Sequence, residues 1–307
     1  MITLNGNFAT QDRLAVPTST RPNRPWLIVN ADDFGESAAV NAAVVAAHRD
    51  GIVTGTSLMV TGAAFEEAVE LARSHPGLRV GLHIVLIGGR PCLPPERIPA
   101  LVEPSGRFPT DPVKAGLRWW LWSPAREQLR AEIYAQAERF IKTGLPLDHL
   151  NSHLHFHVHP TVFSAVLEVA EALGVRRVRL PAEPWFSLRV NRSRPGQKLA
   201  YALIFGVFSR LYRPRLQARG FVVLDGVFGL FQTGRINEKY LLNLLRVLPP
   251  GRFELYVHPR FDTPQGQAEF AALVSPKVRK LMAARGIILT TYGQLAAGRI
   301  RPSADTR

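Results

Sequence analysis

The sequence predicts an α/β fold, a TIM-like β/α barrel with room for distortion, interrupted by one basic, apolar helical insert. Three observations predict it. Short apolar runs alternate with helix-period segments along most of the chain, the pattern of a parallel sheet with crossover helices. About eight such runs follow one another with no internal repeat or second domain boundary, which favours a closed or nearly closed barrel over an open sheet. Polar, chemistry-bearing residues recur where the runs end, the end that a β/α barrel gathers on one face.

Trp26, Leu27, Ile28 and Val29 form the first run, followed by Asp32, Asp33 and Gly35. An apolar run bounded by glycine reads as a buried strand. With a helix at residues 38–48, the two acids fall on the connecting loop. Charges are costly to bury, so the pair needs a reason to be there. A helix N-cap and a functional role are both open, because Asp is favoured at N-caps. Residues 54–60 read as a second strand, 65–73 as a helix and 79–86 as a third strand carrying His83. Residues 88–122 are Pro-rich and irregular, with Trp119, Trp120 and Trp122 close together; a loop of that length reads as a lid or binding rim.

Pro124 opens a helix over 125–143, and residues 147–153 give the next strand. Its end holds His149, His153, His155, His157 and His159. On an extended strand the last four share a face but spread along it by about 3.3 Å per residue, so one or two would reach a given metal. A helix at 160–173 is stopped by Gly174. Strands are expected at 175–180, with Arg179 near the end, and at 221–224 and 253–257. Further helices are expected at 238–247 and, unbroken, at 265–284, and a last strand at 287–291.

The chain has 307 residues, 46% hydrophobic and 20% charged, an ordinary composition for a folded protein. Residues 1–25 read as a flexible tail, 26–297 as a single barrel domain with its insert at 186–221, and 298–307 as a second tail. The first 25 residues lack an apolar signal-peptide core, and no run approaches the roughly 18 apolar residues of a spanning helix. One cysteine, Cys92, excludes an intrachain disulfide and a Cys-based zinc site, and the lack of disulfides leans towards the cytoplasm.

The net charge of +14 points to nucleic acid or an anionic membrane surface as partner. Zinc-finger spacing, RNA-binding aromatic signatures and Gly-rich phosphate loops are missing, so nucleic acid is disfavoured. The charge is concentrated at residues 186–221, which carry Arg189, Arg192, Arg194, Lys198, Arg210, Arg213, Arg215 and Arg219 and no acid. Inside that segment, residues 199–212 are apolar nearly all round. Basic residues flanking an apolar helix fit interfacial membrane binding. A buried helix with basic ends, packed on the barrel, fits equally.

The chemistry rests on Asp32 and Asp33, His83, and the later histidine cluster. Two imidazoles and a carboxylate suit a divalent metal with open positions. Consecutive strand side chains point opposite ways, so one acid can bind the metal while the other takes a proton from the attacking water. His258 is placed to protonate a leaving group, or to cap a helix ahead of Pro259. Arg179 could orient the base carboxylate or belong to the basic run at Arg176 and Arg177, and Glu183 is an additional candidate.

Asn30-Ala-Asp-Asp-Phe-Gly35, Gly81-Leu-His83 and His149-Leu-Asn-Ser-His-Leu-His-Phe-His157 resemble the motifs of the YdjC-like carbohydrate deacetylases. Similarity extends to Gly51-Ile-Val-Thr54, Arg179-Leu-Pro181 and Glu254-Leu-Tyr-Val-His-Pro259. The resemblance implies a β/α-barrel enzyme that uses one divalent ion, Mg2+ or Zn2+, to remove acetyl groups from N-acetylated sugars. Carried over, Asp33, His83 and His153 match the metal ligands and Asp32 the general base; the residues alone would allow the two acids to exchange roles. Asn151 stands where relatives often have Asp, and Leu154 where they often have a further His. His155, His157, Glu183, Trp119 and Trp120 are candidate substrate contacts. The tryptophans could stack on a sugar, seat at a membrane interface or simply fill the core. The chain is more similar to the branch associated with hopanoid synthesis, which implies an N-acetylglucosaminyl hopanoid as substrate. It also implies a cytoplasmic enzyme, peripheral at the inner membrane face. A deacetylase of soluble chito-oligosaccharides and a non-catalytic barrel binding membrane or nucleic acid are the alternatives.

Overall fold

The apolar run at Trp26 becomes the central strand, β1 (Pro25–Phe34), in the structure, a computed structural model that describes residues 22–190 and 195–298. The two expected tails lie almost wholly outside the described residues, although Pro25 already belongs to β1. Because β1 runs to Phe34, Asp32 and Asp33 sit within its last residues and not on the following loop. The cap of α1 (Ala38–Asp50) is Ser37, whose side chain accepts from the Val40 N–H, so neither acid serves as the cap.

Strand β2 (Gly55–Leu58), α2 (Phe65–Ser74) and β3 (Arg79–Ile84) follow as expected, with both strands shorter than the sequence suggests. The supposed loop at 88–122 contains a helix, α3 (Pro112–Leu121). Pro112 occupies its first turn, where the missing N–H costs nothing, and Asp111 caps it. The same use of proline opens α4 (Pro124–Ile141) and α5 (Pro160–Ala172), which flank β4 (Leu147–Ser152). The chain does not continue as a strand past Ser152. It turns through a short 3-10 segment, His153–Val158, in which Leu154 and His155 have positive φ of 54° and 55°. The expected common face of His153, His155, His157 and His159 therefore does not form.

The insert becomes α6 (Pro195–Ala218), which carries Pro214 inside it. It buries Ala202, Ser209, Tyr212 and Leu216 while Leu203, Ile204, Val207 and Leu211 stay exposed. Among the described residues no helix is long and apolar enough to cross a membrane. Then come β5 (Gly226–Phe228), α7 (Glu238–Val247), β6 (Gly251–Val257), α8 (Pro264–Leu273), α9 (Pro276–Ala284), β7 (Ile288–Leu289) and α10 (Tyr292–Ala296). The single helix expected at 265–284 is two, because Ser275 caps a new start at Pro276.

The described strands pair in parallel in the order β4-β3-β2-β1-β6-β5, with β7 beside the start of β1. The sheet curves as a half-barrel, and helices cover it. The expected strands at 175–180 and 221–224 are reduced to isolated parallel bridges, Leu150 with Val178 and Arg177 with Val222. Those bridges link β4 towards the β5 side, an arrangement compatible with a distorted barrel. The register sets Ala31 beside Thr56 and Val257, Ser57 beside Gly81, and His83 beside Asn151. The polar ends of β1, β2, β3, β4 and β6 therefore meet at one level.

Gly81 shows how tight that level is. A Cβ there would lie 2.5 Å from the His149 ring, which is itself buried and stacked on Tyr292 at 4.8 Å. The ring has nowhere to retreat. Gly81→Ala is expected to cost about 1–3 kcal/mol through overpacking, a fall in melting temperature of several degrees that thermal unfolding will measure.

Candidate active site

Asp33, last but one in β1, has φ of 66°, and the pairing with β2 shifts register between Ala31 and Phe34. Asp tolerates this left-handed region better than most residues. The two neighbouring acids are thus divided by a kinked backbone, where plain strand alternation was expected to separate them. Asp32 turns to Arg179, and Asp33 turns to the histidines.

His83 Nε2 and His153 Nδ1 lie 3.2 Å and 3.1 Å from Asp33 Oδ1. The donor atoms of these three residues fall within 4.8 Å of one another, the one such His/Cys/Asp/Glu grouping among the described residues. Atoms bound to one divalent ion at about 2.0–2.2 Å lie roughly 3 Å apart, so the spacing fits a shared cation. His83 Nε2 is buried and makes no hydrogen bond, as expected of a lone pair kept for an ion. Burial opposes ionisation of Asp33, yet contacts with His153 and His83 hold its carboxyl well below the usual range. For His153, burial disfavours the charge, but the bond to Asp33 outweighs it and raises the imidazole above its ordinary value.

Behind the triad, Arg179 forms a bidentate pair with Asp32, at 2.6 Å to Oδ2 and 2.7 Å to Oδ1. The same guanidinium donates twice to Glu254 Oε1, at 3.0 and 2.7 Å, and Glu254 Oε2 accepts from the Tyr292 hydroxyl at 2.7 Å. All three charged side chains are buried. Asp32 Oδ1 also accepts from Asn30 at 2.8 Å and Ser57 at 3.3 Å. Burial alone would raise the Asp32 carboxyl, but the Arg179 charge and hydrogen bonds drive it far below the ordinary range. Arg179 therefore lies on the Asp32 carboxylate and not with the Arg176–Arg177 run.

Asn151 joins the two halves. Its amide lies 2.7 Å from His83 Nδ1. A His83 that keeps its Nε2 lone pair for an ion would carry its hydrogen on Nδ1 and donate to the amide oxygen. The amide NH2 then donates to Ser57 Oγ at 2.7 Å. In the opposite tautomer the amide turns over, and its oxygen accepts from Arg179 at 3.0 Å.

His258 stands 4.0 Å from Asp33 Oδ2 and is partly exposed. It does not cap α8, whose cap is Thr263; its own N–H donates to Glu269 at 2.6 Å. His155 packs edge-on to Tyr256 at 4.7 Å, and burial pushes its imidazole well below the ordinary value. His157 lies deeper, between the Arg179 carbonyl, 2.7 Å from Nε2, and the Ser152 hydroxyl, 2.8 Å from Nδ1. Burial pushes it down to about 3, so it is a neutral strut and is closed to substrate. Glu183 accepts from the Phe231 N–H at 2.8 Å.

The tryptophans separate. Trp119 is wholly buried, donates to the Ala100 carbonyl at 3.2 Å and meets Phe156 edge-on at 5.4 Å, so it cannot stack on a sugar. Trp120 is exposed beside Arg126, Arg130, Pro160 and Glu168 of α4 and α5. Sequence reasoning missed Glu254 as a site residue. Its signal was present, an acid in the middle of the apolar run Phe253–Val257.

The chain is similar to known proteins. Residues 26–284 match the family model described as YdjC-like protein. A carbohydrate deacetylase of Geobacillus stearothermophilus is 35% identical over 87% of this chain and 96% of its own. A chitooligosaccharide deacetylase of Proteus mirabilis is 31% identical over 88% and 98%. The crystal structure of a proposed cellobiose-phosphate cleavage protein from Enterococcus faecalis superposes with a TM-score of 0.69 at 28% identity, covering 89% of this chain and 99% of that one.

The neutral His157 has a measurable cost in acid. Its folded value, about 3, lies below the unfolded value of about 6.5. Between these two limits the unfolded chain binds one more proton at this position, so stability falls as pH falls. The loss is about 1.4 kcal/mol per pH unit. Equilibrium unfolding from pH 7 to pH 3 is expected to show a slope reduced by about one proton in His157→Gln.

Proposed function

The chain belongs to the YdjC-like protein family, and from that premise we propose that it is a carbohydrate N-deacetylase, a hydrolase of the acetamido group of an N-acetylglucosaminyl unit. The observation that carries this reading is the Asp33–His83–His153 triad set beside an Asp32 carboxylate held by Arg179. Bound at the triad, a divalent ion, Mg2+ or Zn2+, would polarise the acetyl carbonyl and acidify the attacking water.

Asp32 accepts the proton of that water. Its Oδ2 accepts one hydrogen bond, from Arg179, whereas Oδ1 is crowded by Arg179, Asn30 and Ser57, so Oδ2 is the oxygen with room for it. Arg179 keeps Asp32 ionised across the working pH range and aims both oxygens. His258, partly exposed on the far side of Asp33, delivers a proton to the departing amine, leaving acetate and a free amino sugar. Asn151 fixes the His83 ring, and Glu254 balances the Arg179 charge.

For the acceptor, the motifs favour the hopanoid-associated branch and hence a lipid-linked N-acetylglucosaminyl group, handled at the membrane surface. The Proteus mirabilis relative favours a second reading, soluble chito-oligosaccharides. Acetate release from N-acetylglucosaminyl hopanoid and from chitobiose separates the two. Asp32→Asn is expected to lower turnover by about a hundred- to ten-thousand-fold and, because it takes a carboxylate from the buried Arg179, to lower the melting temperature as well. His83→Ala is expected to abolish both ion binding and acetate release. Full activity in either variant, or after exhaustive chelation, would refute the proposal.

A further inference from the structure

Two helices carry their apolar faces outward. On α3, Val113, Leu117, Trp120 and Leu121 recur at helical spacing and are 77%, 55%, 56% and 74% exposed. At about 100° per residue these four share one stripe, and Lys114 and Arg118 border it on one side. On α6, Leu203, Ile204, Val207 and Leu211 form a second stripe, each more than half exposed. It is bordered by Arg210 on one side and Arg215 on the other.

Both helices abut the turn that carries His153. On α3, Gly116 fits against Phe156 and His159, and on α6 the Phe205 ring meets His155 at 5.7 Å. Leu154, in the same turn, is itself half exposed. Outward apolar stripes of this kind mark docking surfaces, and both of these flank the same turn.

We infer that the outward stripes of α3 and α6 form a two-part surface that seats the protein on an anionic lipid bilayer, with the candidate active site at its edge. The charge pattern selects this occupant. A second copy of the chain would set basic rim against basic rim, whereas anionic headgroups complement both rims. The nearby acids are already engaged, Asp111 with Lys114 at 3.8 Å, Glu168 with Arg130 at 2.7 Å and Glu171 with Arg219 at 3.6 Å. Apolar side chains would enter the interface while the arginines and lysines reach the headgroups. The surface deepens the lipid-linked reading above by naming where the membrane meets the chain. The role of α3 in it is independent of the insert.

The test is co-sedimentation of the full chain with phosphatidylcholine vesicles, with and without phosphatidylglycerol. Binding is expected with the anionic lipid and is expected to weaken as salt is raised. Leu117→Gln/Leu121→Gln on α3 and Leu203→Gln/Val207→Gln on α6 are each expected to weaken it by at least about tenfold. Melting temperature and chitobiose deacetylation should stay at the parent level, since none of these residues touches the site. Absence of binding to anionic vesicles, or an α3 variant that binds like the parent, overturns the inference. A concentration-dependent dimer abolished by the same substitutions, without vesicle binding, also overturns it. Chitobiose turnover reports the deacetylase reading separately, so failure of one leaves the other measurable.

Discussion

The buried Arg179 guanidinium, clasped between Asp32 and Glu254, is the interaction on which the rest depends. Three charges taken out of water are expensive, and removing one partner strands the others. Their positions explain why the arrangement persists. Backbone pairing is thinnest at residues 175–180 and 221–224, where single bridges replace strands. Arg179 leaves that thin seam and reaches both β1, through Asp32, and β6, through Glu254. Tyr292 at the start of α10 joins through Glu254, and His157 grips the Arg179 carbonyl from the other side. One ion triad therefore closes the distorted part of the sheet and holds the Asp32 carboxylate ionised. Structure and chemistry share the same atoms.

The five histidines of the 149–159 stretch look alike in sequence and differ in place. His149 lies under the site against Gly81 and Tyr292, His153 faces Asp33, and His155 packs on Tyr256. His157 is a strut, and His159 stacks on Phe156 at 5.3 Å. The backbone reversal at Leu154 and His155 distributes them. Had the strand continued, the spacing along its face would have kept them apart in a different way.

Most elements were legible from apolar periodicity, and Asp32, Asp33, His83 and Arg179 stood out at strand ends, whereas His153 was singled out from its cluster only by the family resemblance. What periodicity could not show is local. Helix α3 carries a helical-period stripe, Val113, Leu117, Trp120 and Leu121, but Pro104, Pro109 and Pro112 crowd its start and made the whole stretch read as irregular. The break between α8 and α9 depends on a Ser-Pro cap inside an otherwise helical pattern. Residues 175–180 and 221–224 read as strands from their β-branched and aromatic residues, yet each pairs only through isolated bridges, Leu150 with Val178 and Arg177 with Val222. Glu254 escaped notice because its partner, Arg179, is 75 residues away.

Asp33, Leu154 and His155 are the non-glycine residues with positive φ among those described; the first belongs to the triad and the other two directly follow His153. Such backbone costs about 1–2 kcal/mol per residue, and at position 33 the residue best suited to it would be glycine or asparagine. A lineage released from catalysis would thus gain stability by giving up this carboxylate. Drift at residue 33 would be an early mark of a retired enzyme, visible in descendants before the rest of the barrel had changed.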